Sequence, residues 1–247
     1  MSTHIKEAIK NGEYHGRDHS KAPELYDQHC ESKKARKYLV DPTLSPKLFL
    51  SKIAYEAGTI MHPPGGPFII DDDNRQVVEQ LFHYVAGHKD FKGDLEKGLL
   101  LIGPYGSGKS LLAMLLMKSL AEFWYYEIST LHPDNRKSPK TIFLPARDIL
   151  AEEEYYSPAG DGSKTEAYKT RGILCVDDLG KEPTVVNDFG TKTKPWEDVA
   201  AFRYDTDLLT FATSNLKISD MSYSGHCKSR MHAMMNTIIL KGENRRK

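Results

Sequence analysis

The chain has 247 residues, 39% of them apolar, enough for one core-bearing domain and a small appendage. Its 34 Lys and Arg balance 34 Asp and Glu, which excludes a uniformly basic nucleic-acid coat and an acidic tail but leaves room for a local basic patch. Cys30, Cys175 and Cys227 stand too far apart for a zinc knuckle or a disulfide framework. The N-terminus lacks a signal-peptide core, and no stretch reaches the ~18 apolar residues of a membrane span, so a soluble, cytoplasmic protein is expected.

Residues 1–65 are polar and mixed in charge. Helical patches are expected at 22–38 and 46–58, with Leu48, Leu50, Ile53 and Ala54 as an apolar stripe. The cluster Lys33, Lys34, Arg36 and Lys37 reads as a solvated helix face, and His15 and His19 lack the further ligands a metal needs. Pro63-Pro64-Gly65-Gly66-Pro67 is a breaker and marks the expected boundary between an N-terminal region, 1–65, and a second unit, 66–247. Asp73 followed by Gln76 looks like a capping box for a helix carrying Val77, Val78, Leu81, Phe82 and Val85. Leu99 to Ile102 suits a buried parallel strand, and Leu111 to Leu120 a helix covered on most sides. Further strands are expected at Thr141–Leu144, Gly172–Val176, Leu208–Thr213 and Thr237–Leu240. Strands alternating with longer segments predict a parallel α/β sheet.

Gly103-Pro104-Tyr105-Gly106-Ser107-Gly108-Lys109-Ser110 matches G-x-x-x-x-G-K-[ST], between a strand and the helix that Leu111 enters. Glycines let the backbone curl until several N–H groups face one anion, and the helix N-terminus adds its positive end. In this pattern Lys109 reaches the β- and γ-phosphates of ATP and Ser110 holds Mg²⁺. Ile173 to Val176 then runs into Asp177 and Asp178. A carboxylate at the end of a strand beside such a loop can reach Mg²⁺, a role that fits Asp177. Asp178 is placed to orient the attacking water. It is one methylene shorter than the glutamate many ATPases use there, which predicts slow hydrolysis. The chain has no N-K-x-D guanine motif, which disfavours a GTPase.

Val176-Asp177-Asp178-Leu179-Gly180-Lys181-Glu182, Thr213-Ser214-Asn215-Leu216, Ser229-Arg230-Met231 and Gly242-Glu243-Asn244-Arg245-Arg246 follow the loop in an order that resembles the DnaC/IstB group of AAA+ ATPases. Phe68-Ile69-Ile70-Asp71, ahead of the loop, resembles the same group. The resemblance covers residues 66–247. It implies a three-layer α/β/α phosphate-loop fold with a five-stranded parallel sheet, no C-terminal lid, and a small, mainly helical N-terminal region. It further implies Asn215 as the first sensor, Arg230 as the arginine finger acting on a neighbouring subunit's ATP, and Arg246 as the late sensor arginine, with Arg245 a near substitute. A homo-oligomer with ATP and Mg²⁺ between subunits is implied.

The same resemblance leaves two partner sets open: a replicative DNA helicase with single-stranded DNA, as in helicase loaders, or a transposase with duplex DNA, as in the IstB branch. A nucleotide-binding adaptor with negligible turnover is a third alternative. Lys217 to Lys247 holds seven Lys or Arg against two Asp or Glu. Arg136, Lys137, Lys140 and Arg147 lie in a second basic stretch, and the two are candidate paths for a phosphate backbone. Arg203 is either a contact to a neighbour's nucleotide or a structural ion pair. Trp124, Tyr125 and Tyr126 read as core.

Overall fold

A computed structural model describes residues 38–61, 68–127, 136–149, 172–182, 186–188, 191–242 and 244–245. Residues 22–37 of the patch expected over 22–38, the 33–37 basic cluster, His15, His19, Cys30 and Arg246 lie outside them.

The described chain runs β1 (Leu39–Val40), α1 (Pro46–Ile60), α2 (Arg75–Val85), β2 (Gly98–Ile102), α3 (Lys109–Phe123), β3 (Trp124–Glu127), β4 (Arg136–Lys137), β5 (Thr141–Pro145), β6 (Ile173–Asp177), β7 (Val186–Asp188), β8 (Thr191–Thr193), α4 (Pro195–Asp205), β9 (Thr210–Ser214), α5 (Gly225–Met234) and β10 (Met235–Ile239). Five strands form one parallel sheet in the order β10-β2-β9-β6-β5. All five strands expected from the apolar runs are present, with β10 beginning two residues before the expected Thr237. Short antiparallel pairings add β1, β3 and β4 in one small sheet and β7 with β8 in another.

Alternation along the parallel strands builds the three layers, because successive side chains leave opposite faces. Leu99, Leu101, Ile173, Cys175 and Phe211 face a core shared with Phe49, Ile53, Val78, Leu81, Leu116 and Leu120 of α1, α2 and α3. Leu100, Leu174, Val176 and Ala212 face the other way, onto Trp196, Val199, Cys227 and Met231 of α4 and α5. At roughly 2 kcal/mol per fully buried large apolar side chain, each face holds the sheet by many kcal/mol before chain entropy is counted. Trp124 is fully buried, donates from its indole nitrogen to Val85 O at 2.7 Å, and stacks on Tyr38, in keeping with the core reading.

Three local expectations are corrected. α1, within the expected 1–65 region, packs into the core with α2 and α3. Its buried stripe is Phe49, Ile53 and Ala57, at i, i+4 and i+8, while Leu48 and Leu50 are exposed. Ser45 sets that phase by accepting from Leu48 N at the N-cap, with Pro46 as the first helical residue. At α2 the N-cap is Asn74 rather than Asp73. Asp71 accepts from the backbone N–H of Asp73 and Asn74, and the Asn74 amide ties Asp71 N to Ile69 O. Finally, Leu208 and Leu209 precede β9 instead of opening it: Leu209 O accepts from the buried Arg203 and Leu208 O from the Thr210 hydroxyl.

A candidate nucleotide site at the carboxyl edge of the sheet

The strands β2, β9 and β6 are neighbours and parallel, so their carboxyl ends lie together on one edge. That edge is where open α/β sheets bind ligands. β2 delivers the glycine loop, β9 delivers Thr213, Ser214 and Asn215, and β6 delivers Asp177 and Asp178.

The loop leaves β2 at Gly103 and enters α3 at Lys109. Gly108, the N-cap of α3, has φ +94, and Gly106 has φ +75, a left-handed backbone that side chains disfavour. Positive φ at such glycines is what a loop needs in order to curl its peptide N–H groups around an anion. The Lys109 side chain is buried and donates from Nζ to Pro104 O and to Asn215 Oδ1, both at 2.8 Å. An ammonium held at a helix N-terminus among backbone dipoles is a phosphate site in charge and shape. Ser107 Oγ, in the same loop, is buried without a hydrogen-bond partner, which marks it for an explanation such as a ligand. Ser110 and Leu111, half-buried at the start of α3, follow directly.

The two aspartates differ in setting. Asp177 ends β6, and its Oδ1 accepts from the Thr213 hydroxyl at 2.6 Å. The same hydroxyl oxygen accepts from Asp178 N at 2.9 Å, so one fully buried threonine fixes both residues. Asp178 has φ +61, an unusual conformation for a residue with a side chain. Its Oδ2 pairs with Lys181 Nζ at 2.7 Å, and that ammonium lies 5.1 Å from the centre of the exposed Tyr105 ring. Leu179 N donates to Thr213 O, Ser214 Oγ donates to Leu179 O, and Gly180 N donates to Glu182 Oε2. Mg²⁺ is commonly held by one or two carboxylates plus phosphate oxygens rather than by a protein cage. Ser110 and Asp177 fit that donor set, and among the described residues no cluster of three or more His, Cys, Asp or Glu forms a cage.

The C-terminal segment closes over the loop from behind. Arg245 N donates to Gly106 O at 2.9 Å, and the Arg245 guanidinium grips Asp71 with bonds of 2.6 and 2.7 Å. The paired guanidinium holds the Asp71 carboxyl at a pKa of about 2. Arg245 is thus committed to a carboxylate, and any sensor role of Arg246 falls outside the described residues.

Two arginines sit far from this edge. Arg230 on α5 lies 4.0 Å from Asp205 and over the Tyr204 ring, beside the end of α4 that feeds the opposite edge of the sheet. Arg203 is fully buried, donating to Thr210 Oγ1 at 2.8 Å, Gly172 O at 3.0 Å and Leu209 O at 2.7 Å. Burial lowers its pKa to about 10. It is a strap across the starts of β6 and β9, so contact with a neighbour's nucleotide does not describe it in this fold. Of the second basic stretch, Arg136, Lys137, Lys140 and Arg147 are exposed. Arg136 stacks on Tyr125, and Arg147 lies near Asp148.

Of the residues expected at the site, Lys109 and Asn215 are in direct contact. Sequence reasoning missed Thr213 and Glu182 as supports, because each lies inside a quoted motif without a motif role. A threonine that ends an apolar strand one residue from Ser214-Asn215 was the available signal.

No protein-family model matches the chain, and no curated protein sequence does. Among solved structures, DnaI superposes with a TM-score of 0.52 at 22% identity, over 82% of this chain and 95% of DnaI. A candidate primosome component from Streptococcus pyogenes serotype M3 gives 0.50 at 20% identity, over 72% of this chain and 85% of that one. The chain therefore has the fold of DnaI, a three-layer α/β/α arrangement around a five-stranded parallel sheet.

Proposed function

We propose that this protein is an ATP-dependent loader of a replicative DNA helicase, hydrolysing ATP to ADP and phosphate at contacts between identical subunits. The observation that carries the reading is the meeting of Lys109 and Asn215 at the strand edge where Asp177 and Asp178 also end. Lys109 and the loop N–H groups would hold the phosphates, and Ser110 and Asp177 would hold Mg²⁺, which would supply neutralising charge there. Asp178 and Asn215 orient the attacking water. Its oxygen bonds the γ-phosphorus as the bond to the β-phosphate oxygen breaks, and the water's proton leaves toward Asp178. Arg230 supports action between subunits. It is grouped with the end of α4, across a five-residue strand from its own loop, a span of roughly 13–16 Å, so a neighbouring copy's loop is the one it would serve. The likeness to a candidate primosome component supports a partner in replication, and the exposed basic residues of 136–147 supply charge for a single-stranded DNA backbone.

The test is a pull-down on a replicative helicase with ATP, comparing the full chain with residues 38–247. The shorter form starts at 38 because α1 belongs to the core. Retention of the full chain alone supports the loader reading and places the grip in residues 1–37. No retention of either form sinks it for that helicase, and ATP turnover stimulated by duplex rather than single-stranded DNA would move the reading to a transposition ATPase.

A further inference from the structure

The turn that carries Asp178 is held from two sides. On one side, β9 grips it through Thr213 and Ser214, as described above. On the other side stands Glu182, whose carboxylate is buried. One oxygen accepts from Gly180 N at 2.8 Å, and the other accepts from the hydroxyl of Tyr223, which is also buried. A buried carboxylate is retained only where its acceptors are matched by donors, and here both donors lie on segments that matter. Gly180, at φ +96, closes the turn that begins with Asp178 at φ +61, and Lys181 N donates back to Asp178 O at 3.2 Å. Gly180 takes its positive φ freely, but Asp178, which carries a side chain, is strained there and persists only because its surroundings hold it. Tyr223 immediately precedes Ser224, which caps α5 by accepting from Cys227 N and is itself gripped by Glu197. Glu182 therefore ties the acidic turn to the start of the helix that carries Arg230.

We infer that Glu182, through Gly180 and Tyr223, is a positioning residue for ATP turnover: it touches no nucleotide but fixes the conformation in which Asp178 is presented to the attacking water. The inference rests on the ATPase reading above. Loop contacts to the phosphates do not pass through Glu182, so its loss leaves nucleotide affinity in place and lowers the chemical step. Gln in its place keeps one acceptor for Gly180 N, and the tyrosine hydroxyl can turn to accept from the new amide.

The experiment measures kcat, KM and the equilibrium affinity for a non-hydrolysable ATP analogue in the full chain and in Glu182→Ala, Glu182→Gln and Tyr223→Phe. A misplacement of about 1 Å costs up to ~10²-fold in rate, so Glu182→Ala is expected to lose ~10- to 100-fold in kcat with affinity within about twofold of wild type. Glu182→Gln should recover most of that loss, and Tyr223→Phe should fall between. Wild-type turnover with an unchanged kcat in Glu182→Ala would overturn the inference while leaving the ATPase reading intact. Parallel loss of affinity and kcat in all three variants would assign Glu182 to folding alone and also overturn it. Absence of turnover in the wild type would overturn the ATPase reading, and the positioning role with it.

Discussion

Thr213→Val removes one hydroxyl and little volume from the point where β6 and β9 end. That hydroxyl donates to Asp177 Oδ1 at 2.6 Å and accepts from Asp178 N at 2.9 Å, at a fully buried position. A hydrogen bond to a charged carboxylate contributes ~1.5–3 kcal/mol, and a buried N–H left without a partner costs ~1–3 kcal/mol. Partial relaxation of the turn keeps the two from adding in full, which leaves a loss of about 2–4 kcal/mol. With a urea dependence of ~2–3 kcal/mol per molar for a unit of this size, the unfolding midpoint should fall by about 1 M. Thr213→Ser keeps the hydroxyl and removes a methyl group, so it should cost only ~1 kcal/mol. The two variants unfolded in urea side by side give the contrast. A Val variant within ~0.5 kcal/mol of wild type, or a Ser variant as poor as Val, would refute the claim that this hydroxyl holds the acidic turn.

Arg203→Met leaves Thr210 Oγ1 and two carbonyls without their donor and should destabilise by ~3 kcal/mol, whereas Arg203→Lys, which keeps charge but not the planar fork, should recover only part; thermal unfolding reads both. The Asp71 carboxyl is depressed to about 2 by Arg245, from an ordinary ~3.9. Its contribution is therefore complete above pH ~4 and is lost as pH falls from there through about 2. Amide exchange at 241–245 should thus be the same at pH 5 and pH 7 after correction for intrinsic rates, and should rise in Asp71→Asn or in molar salt, which screens this exposed pair.

The parallel sheet was legible because its strands are short apolar runs bounded by glycine and polar residues, and a strand buried on both faces has to look that way. The loop was legible because phosphate binding demands glycines and a lysine at fixed spacing. Ser45, Pro46 and the Phe49, Ile53, Ala57 stripe were equally visible signals for α1, but the competing Leu48–Leu50 pair set the stripe one residue out of phase. The supports of the site were hidden for a different reason. Thr213, Glu182 and Tyr223 act through contacts between segments distant in sequence, and Arg245 reaches Asp71 across most of the chain. Local periodicity carries no trace of such pairs. Arg203, expected either at a neighbour's nucleotide or in an ion pair, is buried because three acceptors at the starts of β6 and β9 replace its water.

Whether the Lys109 cradle binds Mg²⁺-ATP bears on every functional statement above, and it can be read directly by titrating wild type and Lys109→Ala with a fluorescent ATP analogue, with and without Mg²⁺. Loss of a charge-assisted contact predicts affinity weaker by about tenfold or more in Lys109→Ala, with an unchanged fold by circular dichroism. Saturable, Mg²⁺-dependent binding in the wild type that collapses in the variant is the expected result. Equal affinity in the two, or none in either, would contradict the account.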